Sequence, residues 1–267
     1  MASDLQTLRT VVAIAVADGL LQPVTGGNAI TVLAPNQNAF AAIPTALFER
    51  LQQPRWGAHL RSILAMHVTR ADGFLSTMLT DGMMVPTVNP DESLTVNTNG
   101  GVTFEGRVNQ AQVVRANLGA NDGIVHVIDT VLLPLAMTQD LVQVATAQNF
   151  TTFLSLVQQA GGIASILGNA SLITTVLVPN DAALANVQVP TNPFDLQAIL
   201  RAHLLPGVYP SQILTDGATI ATGLSGKSVT VGANATSVTF DGANVVQANI
   251  IASNGLIHVI DQVLSTS

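Results

Sequence analysis

The string VHVIDTVLLP begins at Val125, and IHVIDQVLST begins at Ile257. The echo is not isolated. TVLAPNQNAF from Thr31 returns as TVLVPNDAAL from Thr175, and SILAMHV from Ser62 returns as AILRAHL from Ala198. RANLGANDGIVHVIDTVLLP from Arg115 returns as QANIIASNGLIHVIDQVL from Gln247. The matches keep their order at offsets of roughly 130–145 residues, too long for a solenoid repeat and the size of a whole domain. A chain of 267 residues built this way folds one architecture twice. The joint falls after VLLP with no Gly/Ser-rich linker, which predicts domains at 1–136 and 137–267.

Each copy reads from helices to strands. Apolar residues at helical spacing (Leu5, Leu8, Val12, Ala15) predict a helix in the first copy. It corresponds to FTTFLSLVQQA in the second, where DLVQVATAQ precedes it. The first domain's opening helix is therefore expected to be absent or trimmed. Thr138 is the expected cap of DLVQVATAQ, with Asp140 in its first turn. A β-branched strand ending at Pro35 or Pro179 follows, and Asn36 or Asn180 caps the next helix, with Phe40 or Leu184 turned inward. HLRSILAMHV and DLQAILRAHL supply a further helix. The period then changes to two, and Asn99-Gly100 between alternating runs predicts a hairpin. Helices first and antiparallel-looking strands last make the class α+β.

These boxes resemble those of the fasciclin-like domain family. Thr31 to Phe40 and Thr175 to Leu184 fit its first box. Gly123 to Pro134 and Gly255 to Leu264 fit its second, and His67 and His203 take the place of the histidine between them. The resemblance implies two tandem domains, each a β-sandwich or wedge with several packed helices. It implies adhesion or protein interaction outside the cell. A surface partner of protein or glycan and no cofactor are expected. A thylakoid-lumen or periplasmic accessory subunit is the alternative the family offers. Adhesive animal members often place Tyr before the central histidine; here Met66 and Ala202 stand there, which argues against integrin binding.

Composition bounds the surface and excludes several function classes. Charged residues make up 9% of the chain, against about 25% in ordinary soluble domains, so the exterior is polar but weakly charged. A net charge of −7 gives no basic footprint for nucleic acid. No apolar run reaches the length of a membrane span, and the absence of cysteine removes disulfides, thiolate metal sites and a thiol nucleophile.

The repeated His-Val-Ile-Asp string raises a catalytic reading for His126 with Asp129 and for His258 with Asp261. On a strand, positions three apart point to opposite faces, and no nucleophile elbow accompanies them. His67 and His203 lack neighbours at metal-ligand spacing. Thr31, Pro35, Asn36, Phe40, His67, His126, Asp129 and their counterparts Thr175, Pro179, Asn180, His203, His258 and Asp261 are therefore read as framework. The histidines are expected to bond to backbone groups. The chain is expected not to be an enzyme.

Overall fold

A computed structural model describes residues 30–69, 73–120 and 123–266. The predicted helix through Leu5 to Ala15 lies outside the described residues. The described chain divides into two compact units. The first runs up to Gln53 and resumes over His59–Leu135; the second comprises Pro54–Ala58 and the chain from Ala136 onward.

Among the described residues, the first unit is a six-stranded sheet with three α-helices. Strand β1 (Ile30–Pro35) leads to α1 (Gln37–Ala41), α2 (Thr45–Leu51) and α3 (Gly57–Met66), then to β2 (Met84–Pro86), β3 (Ser93–Asn97), β4 (Thr103–Glu105), β5 (Gln110–Ala120) and β6 (Gly123–Ile128). The strand order is β1-β6-β5-β4-β3-β2. The predicted hairpin forms between β3 and β4, with Asn99-Gly100 at its tip. Strand β6 lies antiparallel to β5 but parallel to β1, so the sheet is mixed. The sequence pattern did not reveal the parallel pair, because three helices intervene and alternation carries no direction.

Strand β5 turns one sheet into a wedge. Its residues 110–112 pair with β4, and residues 113–120 pair with β6 through two bulges. A bulge bends its strand and sharpens the local twist. The two outer strands are tied back as well: Val32 bridges Val68, and Thr69 bridges Thr87 just beyond β2. Leu33, Met66, Val85, Leu94, Phe104 and Ile128 fill the interior.

The second unit repeats the plan. Helices α4 (Leu141–Ala147), α5 (Thr151–Ala160) and α6 (Ile163–Leu167) precede β7 (Thr174–Pro179), α7 (Asp181–Ala185), α8 (Pro193–Ala202) and β8 (Leu204–Pro206). Strands β9 (Thr219–Ala221), β10 (Ser228–Ala233), β11 (Val238–Phe240), β12 (Ala243–Ala252) and β13 (Gly255–Ile260) complete it. The order is β8-β7-β13-β12-β11-β10-β9. The Gly223 N–H donates to Leu204 O at 2.7 Å, drawing the β9 side to β8. Alternation along β7 separates two cores. Val176 and Val178 face the helices with Phe153, Val157 and Leu200, whereas Leu177 faces the strands with Val229, Phe240 and Ile260.

One cap differs from expectation. Asp140, rather than Thr138, caps α4: its carboxylate accepts the Gln143 N–H while Gln143 Oε1 accepts the Asp140 N–H, each at 2.9 Å. This reciprocal box satisfies two helix-end donors at once, which Thr138 outside the turn does not do.

Candidate functional site: paired histidine clamps in each unit

His67 follows α3 immediately. A side chain at that position reaches back over the preceding turn, and Nδ1 lies 2.7 Å from Ile63 O. A carbonyl only accepts, so Nδ1 carries the proton and Nε2 is the acceptor. Nε2 accepts the Leu132 N–H at 3.0 Å. His203, after α8, repeats this with Ile199 O at 2.8 Å and the Leu264 N–H at 2.9 Å. Each ring ties a helix end to the segment that leaves the last strand of its unit.

The histidine of the second signature box holds a loop against a bulge in each unit. His126 Nε2 donates to Phe74 O at 2.8 Å, and Nδ1 accepts the Asn117 N–H at 3.3 Å. His258 does the same with Tyr209 O at 2.8 Å and the Asn249 N–H at 3.4 Å. Thr31 Oγ1 accepts the Phe74 N–H at 2.8 Å, and Thr175 Oγ1 accepts the Tyr209 N–H at 3.0 Å. One loop residue is therefore gripped from both signature boxes.

Asn117 and Asn249 extend the grip. Both have positive φ, 59° and 60°, a left-handed conformation that Asn tolerates better than most residues. Asn117 accepts the Ser76 N–H and donates to Ser76 Oγ, both at 2.8 Å. Asn249 bonds Ser211 likewise, at 2.9 and 2.7 Å. Neither asparagine was singled out from the sequence. The available signal was their identical spacing from the box histidine within the repeat.

The remaining residues of the two boxes bond locally. Asn36 and Asn180 accept the N–H groups of Ala39 and Ala183 at 2.8 and 2.7 Å, directly after Pro35 and Pro179. Leu184 is buried and Phe40 half-buried. Asp129 accepts the Gln112 N–H at 2.9 Å, and Asp261 accepts the Asn244 N–H and side-chain amide, both at 2.7 Å. Within each box, histidine and acid thus hold two points on the neighbouring strand and do not meet each other.

All eight ring nitrogens of these four histidines engage backbone groups. Using one as a base or ligand would strand a buried polar group. Burial lowers the His67, His203 and His258 pKa values to about 4, partly opposed in each by the bond to a backbone carbonyl. Among the described residues no three His, Cys, Asp or Glu side chains converge as a metal site, and no helix is long and apolar enough to cross a membrane.

The model of the Fasciclin domain matches residues 4–134 and 148–266. The chain belongs to the fasciclin domain family. Among fasciclin relatives, human periostin is 26% identical over 258 residues, covering 93% of this chain and 30% of periostin. Transforming growth factor-beta-induced protein ig-h3 of Sus scrofa is 25% identical over 248 residues, covering 90% of this chain and 35% of the relative. The chain thus spans about a third of the length of these two relatives. Protein sll1483 of Synechocystis is 32% identical over 134 residues, half of this chain and 71% of its own length. Among solved structures, a FAS1 domain pair from the insect cell adhesion molecule Fasciclin I has a TM-score of 0.46. It shares 22% identity, covering 97% of this chain and 96% of that one.

Proposed function

We propose that this fasciclin protein is a non-enzymatic binding protein of the adhesion or extracellular-matrix type, with modules at 1–136 and 137–267. The observation that carries the reading is the duplicated clamp. In both units the signature residues hold one loop, Phe74–Ser76 or Tyr209–Ser211, against a bulged strand. The loop is fixed by bonds to backbone rather than by anything that could turn over a substrate. Large apolar residues stand exposed on or beside it, namely Leu75 (40%), Met78 (52%) and Ile213 (39%). Preorganised loops lose little entropy on binding, and the tied-back outer strands disfavour recognition by strand addition. The partner is a protein or glycan surface outside the cell. The framework assignment of Thr31, Pro35, Asn36, Phe40, His67, His126, Asp129, Thr175, Pro179, Asn180, His203, His258 and Asp261 belongs to this reading.

The test is a solid-phase assay against immobilised matrix proteins and glycans, comparing wild type with a Met78→Asp/Ile213→Asp variant. With so few charges, wild-type binding is expected to change less than about threefold between about 0.05 and 0.5 M salt. The variant is expected to keep its circular dichroism spectrum and lose binding at least about tenfold. Steep salt dependence, or a variant that binds as well as wild type, overturns the reading. The similarity to the Synechocystis protein favours a second reading, an accessory subunit in a periplasm or lumen; constant co-purification with one complex would select it.

A further inference from the structure

We propose that Asn99 is a site of spontaneous covalent conversion to aspartate and isoaspartate, an ageing mark at the tip of the β3–β4 hairpin. The dipeptide Asn-Gly occurs at Asn99-Gly100 and again at Asn254-Gly255, and the two lie in opposite environments.

Asn99 and Gly100 are both exposed. Gly100 has φ +89° and open space where a Cβ would project; as a glycine it puts no side chain of its own beside the nitrogen that must reach Asn99. Among the described residues the Gly100 N–H has no acceptor. The Asn99 amide is held only by a contact at the limit of bonding, Nδ2 to Asp81 Oδ1 at 3.5 Å. Asn254 is fully buried. Its Oδ1 accepts the Leu141 N–H at 3.0 Å, and its Nδ2 donates to Leu167 O at 2.8 Å and Asn169 O at 3.1 Å. Its side chain cannot turn toward Gly255 without breaking all three.

The chemistry needs only water. The Gly100 backbone nitrogen, losing its proton to solvent base, attacks the Asn99 side-chain carbonyl carbon. The new N–C bond closes a five-membered imide as ammonia leaves. Water then adds to either imide carbonyl and opens the ring. Opening at one bond gives aspartate with the original backbone; opening at the other gives isoaspartate, with the backbone routed through the former side chain. No oxidant or enzyme takes part. The product adds one negative charge to a chain of net charge −7. It places that charge beside Asp81, whose Oδ1 also accepts the Thr98 N–H at 3.0 Å. Repulsion between the two carboxylates loosens this end of the hairpin.

The experiment incubates the full chain near neutral and mildly alkaline pH and follows peptides 71–107 and 228–267 by mass spectrometry, with enzymatic methylation of isoaspartate as an independent readout. The expected result is a time-dependent gain of about 1 Da at Asn99, amide replaced by acid, faster at the higher pH. Asn254 is expected to react at least ~100-fold more slowly, because it must first be exposed by local unfolding. An Asn99→Gln variant is expected to lose the isoaspartate signal while keeping the fold, since the larger ring closes slowly. The proposal is overturned if Asn99 stays unmodified over weeks, if Asn254 reacts as fast, or if Asn99→Gln yields as much isoaspartate as wild type.

Discussion

Asn117 and His126 face each other across the β5–β6 pair, with the Asn117 N–H donating to His126 Nδ1 at 3.3 Å. The bond forms only because Asn117 is left-handed within a bulge, which swings its N–H toward the ring and its side chain toward Ser76. Backbone and side-chain contributions separate by substitution. Asn117→Gly keeps the conformation and loses the Ser76 bonds, an expected cost of about 0.5–1 kcal/mol at this exposed site. Asn117→Val adds the strain of a β-branched residue at positive φ, for an expected total of about 2–3 kcal/mol. Urea unfolding of both variants checks the order.

Acid is expected to destabilise the protein between about pH 6.5 and pH 4. His67, His203 and His258 fall from 6.5 to about 4 in the folded chain. Above pH 6.5 both states are neutral at these rings and stability does not vary through them. Below it the unfolded chain takes up protons that the folded chain refuses, so stability declines until the folded rings titrate near pH 4. Each ring contributes at most about 3 kcal/mol. Protonation would set an N–H of each His67 and His203 ring against a backbone N–H. Shifted rings lie in both units, so thermal unfolding is expected to move to lower temperature on going from pH 7 to pH 4.5. Calorimetry at both pH values tests this; an unchanged melting temperature would contradict it.

Gly123 and Gly255 open the second signature box for a steric reason. Each starts a strand packed parallel against β1 or β7, and a Cβ at either would overlap the carbonyl of Ile30 or Thr174. That obstacle is backbone within a paired strand, so it cannot step aside as a side-chain tip could. Gly255 also has φ +153°. Gly255→Ala is expected to cost more than about 3 kcal/mol, whereas Gly226→Ala, at a loop with open space, is expected to cost about 1 kcal/mol of backbone strain. Comparing soluble yield and melting temperature separates the two.

The duplication and the α+β class were legible because period, turn chemistry and capping are local signals. Asn36 and Asn180 could be read as caps because the bond each makes lies three residues away. What His126 does could not be located from the string around it. Its partners are 52 and nine residues away, in a loop and in a bulge, and neither partner is a side chain with a recognisable type. The parallel β1–β6 pair escaped for a related reason: alternation reports which face is buried and says nothing about strand direction. Thr138 reads as the cap from sequence and Asp140 serves as the cap in the structure, because residue type alone does not fix where the first helical turn starts.

One buried side chain, that of Asn254, joins two helices of the second unit. Asn254 lies in the β12–β13 turn, yet its side chain satisfies the first N–H of α4, the last carbonyl of α6 and the carbonyl of Asn169. Asn254→Ala strands these groups beside a core that admits little water, with the site buried to 0% exposure. Each stranded group costs about 1–3 kcal/mol. The expected loss is about 3 kcal/mol or more, confined to the unfolding step of the second unit. Asp140→Ala, which removes a cap at the half-exposed start of the same helix, is expected to cost only about 1 kcal/mol. Urea titration followed by two probes, with hydrogen exchange to assign the step, tests the ranking. If Asn254→Ala costs no more than Asp140→Ala, water must replace the amide, and the helices are not held through it.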